Sequence, residues 1–83
     1  MVVSGVTMAR LRIRELAEAR DLNMYKLSRE SKLTINMVRR YWYNTADGKE
    51  AGPPLAEVRL NALDALAAVL GVEPGDLIER GAW

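Results

Sequence analysis

The side chains best suited to recognising another molecule fall in the run TINMVRRYWYN, residues 34–44. Asn36, Arg39 and Arg40 set one amide beside two guanidinium groups. In the major groove of a duplex, an amide can pair with adenine and a guanidinium with guanine, each through two hydrogen bonds. If residues 35–43 are helical, Val38 and Tyr41 share one face, being three apart, and Ile35, Asn36, Arg39 and Arg40 point the other way. Arg39 and Arg40 diverge by about 100° on such a helix, so one can reach a base edge while the other reaches a phosphate. Arg40 is assigned to the base and Arg39 to either role. Ile35 suits contact with a thymine methyl or packing against a partner. Asn36 has a second use in helping to cap the helix.

A preceding helix must hold this one in place. Thr34 is the natural N-cap of the second helix, and Asn23 that of a first helix over residues 24–31, since both have short side chains that accept a backbone N–H. Only Lys32, Leu33 and Thr34 lie between the two, the length of a turn joining crossed helices. Leu27 and small Ser28 form the inner face of the first helix. Met24 and Tyr25 open it, where free backbone amides favour a phosphate. The Tyr25 hydroxyl can add a hydrogen bond, whereas Met24 is suited to packing. Trp42 is assigned to the core, with a partner surface shared with Tyr43 as the alternative.

Size and composition narrow the function. The chain has 83 residues, of which 49% are apolar. That length is one domain, and that composition is ordinary for a globular protein. It has no cysteine and no histidine, which removes the usual zinc ligands, disulfides and the commonest general base. No cofactor or metal is expected. No grouping of nucleophile, base and orienting residue suggests an enzyme. No apolar run approaches the roughly 20 residues that span a bilayer, and MVVSGVTM lacks the features of a signal peptide. A cytoplasmic protein is the expectation. The net charge of +1 hides an asymmetry: ten Lys/Arg against five Asp/Glu up to Lys49, then two against six. A basic front and an acidic back suit a chain that sets one face against phosphates.

The remaining elements follow from pattern. Residues 1–7 are expected to be loosely attached, the domain to span 8–80 and a tail to occupy 81–83, where Trp83 fits a dimer contact or a free end. Ala9, Leu11 and Ile13 alternate, and a helix over 13–19 follows. Residues 44–57, NTADGKEAGPPLAE, read as a loop on their Gly and Pro content, and Lys49 there is a candidate phosphate contact. Residues 61–70 are the clearest helix, with Leu63, Leu66, Ala67 and Leu70 on one face and Gly71 to end it. Pro74 starts a last helix over 74–79. The sum is an all-α fold of five short helices.

The run from Leu22 to Asn44 resembles the helix-turn-helix of phage repressors and Cro, the XRE-like regulators, and LDALAAVLGVEPGDLIE resembles the C-terminal part of the same family. On that pattern Leu27-Ser28 falls on a Leu-Ala pair, and Thr34 on the Ser/Thr cap. Ile35, Asn36, Arg39 and Arg40 fall on base-facing positions, Val38 and Tyr41 on buried ones. Met24 stands where Gln is usual, Lys32 where Gly is common, and Trp42-Tyr43-Asn44 replaces Glu-Asn-Gly. The resemblance implies a lambda-repressor-like bundle, with room for a two-stranded pairing of residues 8–12 with 57–60. It further implies a sequence-specific DNA-binding transcriptional regulator acting on double-stranded DNA as a homodimer. Two other readings share the fold: a DNA-binding antitoxin with a toxin partner, and a protein-interaction adaptor that has lost DNA binding.

Overall fold

The computed structural model describes residues 9–80; the expectations for residues 1–8 and for the tail with Trp83 lie outside them. The elements in chain order are strand β1 (Ala9–Leu11), helices α1 (Ile13–Glu18), α2 (Met24–Ser31), α3 (Ile35–Tyr43) and α4 (Leu60–Leu70), a 3-10 turn (Pro74–Leu77) and strand β2 (Ile78–Arg80).

α4 is the centre of the bundle. Leu63, Leu66, Ala67 and Leu70 recur at helical spacing and are all buried, so one stripe faces the core along the whole helix. α1 contributes Ile13 and Ala17, α2 contributes Leu27, and α3 contributes Val38, Tyr41 and Trp42 to the same cluster. Gly71 ends α4 in the left-handed conformation, at φ 71°, where glycine carries no Cβ penalty. The Arg20 guanidinium donates to the Leu70 carbonyl at 2.8 Å, closing off the helix end from the α1 side.

The structure departs from two expectations. The strand before α1 pairs not with residues 57–60 but with β2, antiparallel, in the register Ala9↔Arg80, Arg10↔Glu79, Leu11↔Ile78. Residues 57–60 are occupied otherwise: the Arg59 N–H donates to the Tyr41 hydroxyl at 3.3 Å, and α4 begins at Leu60. The fifth helix is also not formed over 74–79. Pro74 opens only a 3-10 turn, in which the Asp76 carboxylate accepts the Glu73 N–H at 3.2 Å. Leu77 is then fully buried, and the backbone of the next residues is taken up by β1. The pairing brings the two ends of the described chain side by side.

β1 is held on both edges. The Arg12 N–H donates to the Leu77 carbonyl at 2.7 Å on the β2 side. On the other edge the Asn44 side chain stands in for a strand: its Oδ1 accepts the Leu11 N–H at 2.6 Å, and its Nδ2 donates to the Leu11 carbonyl at 3.1 Å. Asn44 is the left-handed C-cap of α3, at φ 58°. Asn tolerates that conformation better than most residues because its short side chain can bond locally. Here the amide is committed to β1 instead, which glycine at this position could not supply.

An ion-pair cluster ties the ends of this layer. The Arg10 guanidinium meets Glu15 at 3.0 Å and Glu79 at 2.6 Å. Partial burial alone would raise the Glu15 carboxyl. A backbone hydrogen bond and the bond and charge of Arg10 together outweigh it, so Glu15 sits below the usual glutamate range. A carboxyl depressed in the folded state stabilises the protein above its unfolded pKa, and that contribution is lost as pH falls through the folded value.

Two measurements check this layer. Asn44→Ala should cost about 1–3 kcal/mol in urea unfolding, because it leaves the Leu11 N–H unpaired. Asn44→Gly should recover only the backbone part, and equal stability of Asn44→Gly and the parent would contradict the edge role. In the second, the stability advantage of the parent over Glu15→Gln should be present at neutral pH and shrink below pH about 4.3. An advantage that persists at lower pH would show that the carboxylate charge is not what contributes.

Candidate nucleic-acid interface

α2 and α3 are fixed to each other through their turn. The Asn23 side chain caps α2 by accepting the Lys26 N–H at 2.8 Å, and Thr34 caps α3 by accepting the Met37 N–H at 3.2 Å. Between them the Ser28 hydroxyl donates to the Leu33 carbonyl at 2.6 Å. Ser31, which is buried, takes the Leu33 N–H at 3.4 Å and donates to the Ser28 carbonyl. Serine at these two positions therefore does more than leave room for a close crossing: it bonds the turn. Lys32 makes the bend at φ 63°, in the left-handed region. That conformation costs a residue with a side chain roughly 1–2 kcal/mol.

With Val38, Tyr41 and Trp42 buried, the opposite face of α3 is presented outward. Asn36 and Arg39 are exposed there, Thr34 is exposed at the start, and Ile35 is half-buried. Tyr25 is 59% exposed at the first turn of α2, while Met24 packs against the core, as its apolar side chain suggested. Among the described residues, no hydrogen bond or ion pair occupies the side chains of Asn36, Arg39 or Lys49. Residues 24–43 carry Lys26, Arg29, Lys32, Arg39 and Arg40 against Glu30 alone, so the motif has a local charge of +4 inside a chain of net +1.

Residues 44–55, within the stretch read as a loop, are closed by bonds across it. Thr45 bridges Pro54 in antiparallel fashion, the Ala46 N–H donates to the Pro53 carbonyl at 2.8 Å, and the Leu55 N–H donates to the Asn44 carbonyl at 3.0 Å. At the tip, the Asp47 carboxylate accepts the Lys49 N–H at 2.9 Å. Gly52 lies so close to that carboxylate that an added Cβ would overlap it. The segment is a short closed ribbon with exposed Lys49 near its tip. It folds back on α3: a Cβ on Gly48 would lie 3.4 Å from Arg39 Cβ and 3.6 Å from Arg40 Cγ.

Arg40 differs from its neighbours. It is half-buried, and its Nε is shut off from solvent with no hydrogen-bond partner among the described residues. It lines a cleft with Tyr41, Glu57, Val58 and Arg59. Nothing in the sequence spacing pointed to that grouping, because Arg40 and Arg59 meet only through the path of the ribbon. Trp42 is 7% exposed and belongs to the core, and Tyr43 packs half-buried against it.

Among the described residues no helix is long and apolar enough to cross a membrane. No curated protein and no solved structure matches the chain. A family model described as the Cro/C1-type HTH DNA-binding domain matches residues 12–82. That span takes in every helix above together with the 3-10 turn and β2, and the chain therefore belongs to the Cro/C1-type helix-turn-helix DNA-binding family.

Proposed function

We propose that this DNA-binding domain is a sequence-specific transcriptional regulator of prokaryotic or phage type that reads the major groove with α3. The observation carrying this is the pairing of Asn36 and Arg39. Both are exposed, with their side-chain hydrogen-bonding groups uncommitted among the described residues, on a helix whose cap and buried face fix its orientation. Asn36 suits adenine, Arg39 suits guanine, and Ile35 can meet a thymine methyl. Thr34 holds the first turn in shape. The start of α2, with Met24 packed inward and Tyr25 outward, offers backbone amides and a hydroxyl to a phosphate. Lys49 near the ribbon tip is a second phosphate contact.

Binding by two copies follows from size. One short helix touches only a few base pairs, and paired half-sites supply the remaining specificity. The adaptor reading loses one of its supports, because Trp42 is part of the core and not a partner surface.

Selection of bound sequences from a random DNA pool tests the base-reading role. Arg39→Ala and Asn36→Ala should each remove preference at one position, at a cost of about 1–3 kcal/mol for the best site. Weaker binding with an unchanged preference would make both residues backbone contacts. Lys49→Ala should leave the selected site unchanged and lower the slope of log K against log salt by about 1, since it gives up one phosphate. A slope equal to that of the parent would remove Lys49 from the interface.

A further inference from the structure

The ribbon changes how much of α3 can be read. Counting about 100° per residue, the direction opposite Val38, Tyr41 and Trp42 runs through Asn36 and then between Arg39 and Arg40, one turn later. Gly48 faces that second point: a Cβ built on it would touch both arginine stems, at 3.4 Å and 3.6 Å. The backbone of the ribbon thus crosses the middle of the outer face just after the first turn. An α-helix with its side chains is already about 10–12 Å across, and the major groove is about 12 Å wide. A further layer of backbone cannot enter between the helix and the groove floor.

Arg40 lies between the two limbs of the ribbon where they pass α3. Its stem lies against the outgoing limb, where a Cβ on Gly48 would stand 3.6 Å from Arg40 Cγ. It lines the cleft with Glu57, Val58 and Arg59, on the return path. Its Nε is shut off from solvent without a hydrogen-bond partner among the described residues, so the middle of the side chain lies against the protein and is not extended from it.

We propose that the ribbon truncates the reading face of α3, so that the helix engages DNA through Ile35, Asn36 and the outer end of Arg39, and that Arg40 is a positioning residue for the ribbon and not a base contact. The inference rests on the DNA-reading role above and narrows it. It makes this segment a determinant of specificity by exclusion: residues that the helix carries are kept from the bases by a strap built from the chain itself.

Random-pool selection again gives the test, with two altered chains. In one, Asn-Gly replaces residues 47–52 as a favoured two-residue turn, with Pro53→Thr to supply the N–H that closes it, so that the bond from the Ala46 N–H to the carbonyl of residue 53 and the Thr45–Pro54 bridge are kept. In the other, Gly48→Val puts a branched side chain at φ +77° and against the arginine stems, forcing the tip away from α3 while leaving the ribbon length intact. Thermal melting shows which of the two remains folded, and either one carries the test. The expected result is a selected site that gains a preferred position beyond the parent site, with Arg40→Ala abolishing the added position in the altered chain. In the parent, Arg40→Ala should erase no existing base preference. An altered chain that selects the parent site unchanged overturns the inference, as does loss of a base preference on Arg40→Ala in the parent. A parent chain that selects no sequence at all sinks instead the DNA-reading role on which the inference stands.

Discussion

The burial of Val38, Tyr41 and Trp42 decides which way α3 faces. Each large apolar side chain taken fully out of water is worth roughly 1.5–3 kcal/mol, while an exposed charge contact is worth about 0–1 kcal/mol. Three such side chains on one side of a short helix leave no competing orientation. Turning the helix over would expose them and force Asn36 and Arg39 inward without partners. The outward display of the polar face is therefore a consequence of packing, and it holds whether or not a duplex is present.

Packing sets the direction of the helix, and its two ends set its position. At the start, Thr34 and the bonded serines of the turn fasten α3 to α2. At the end, Asn44 stops the helix and bonds both backbone groups of Leu11, which places the last turn against β1. β1 in turn is paired with β2, so the C-terminal part of the domain supports the helix indirectly. Tyr41 joins these constraints: its ring is buried, and its hydroxyl receives the N–H of Arg59 just before α4 begins. The chain thus leaves α3, makes the ribbon and returns to a residue in the last turn of the same helix.

The helices of the motif were legible because their signals are local. Asn23 and Thr34 announce two N-caps, Lys32 to Thr34 is too short for anything but a turn, and Leu63 to Leu70 repeats with helical spacing. The strand partner was not legible. Leu11 and Ile13 alternate equally well against Val58 and Leu60 or against residues after Leu77, and only the long-range geometry of α4 and the 3-10 turn selects the second. The structure of residues 44–55 was hidden for a related reason. Gly, Pro and Asp mark a turn-rich stretch, but its bonds join residues across the ribbon, and its seat on α3 depends on a glycine meeting two arginine stems. Within the site, the placing of Asn36 and Arg39 on an exposed face followed from the period of the buried residues. The engagement of Arg40 in the cleft did not, since adjacent arginines on a helix look equivalent until the path of the following chain is known.

The central claim is that the first turn of α3 and the outer end of Arg39 meet the bases. Nuclear magnetic resonance of the isotopically labelled protein, titrated with the duplex that random-pool selection returns, tests it most directly. The account predicts that the side-chain amide of Asn36 and the Nε–H of Arg39 shift strongly and saturate together, while the Trp42 indole N–H, inside the core, stays in place. Silent Asn36 and Arg39 signals, with the largest shifts on another element, would contradict it.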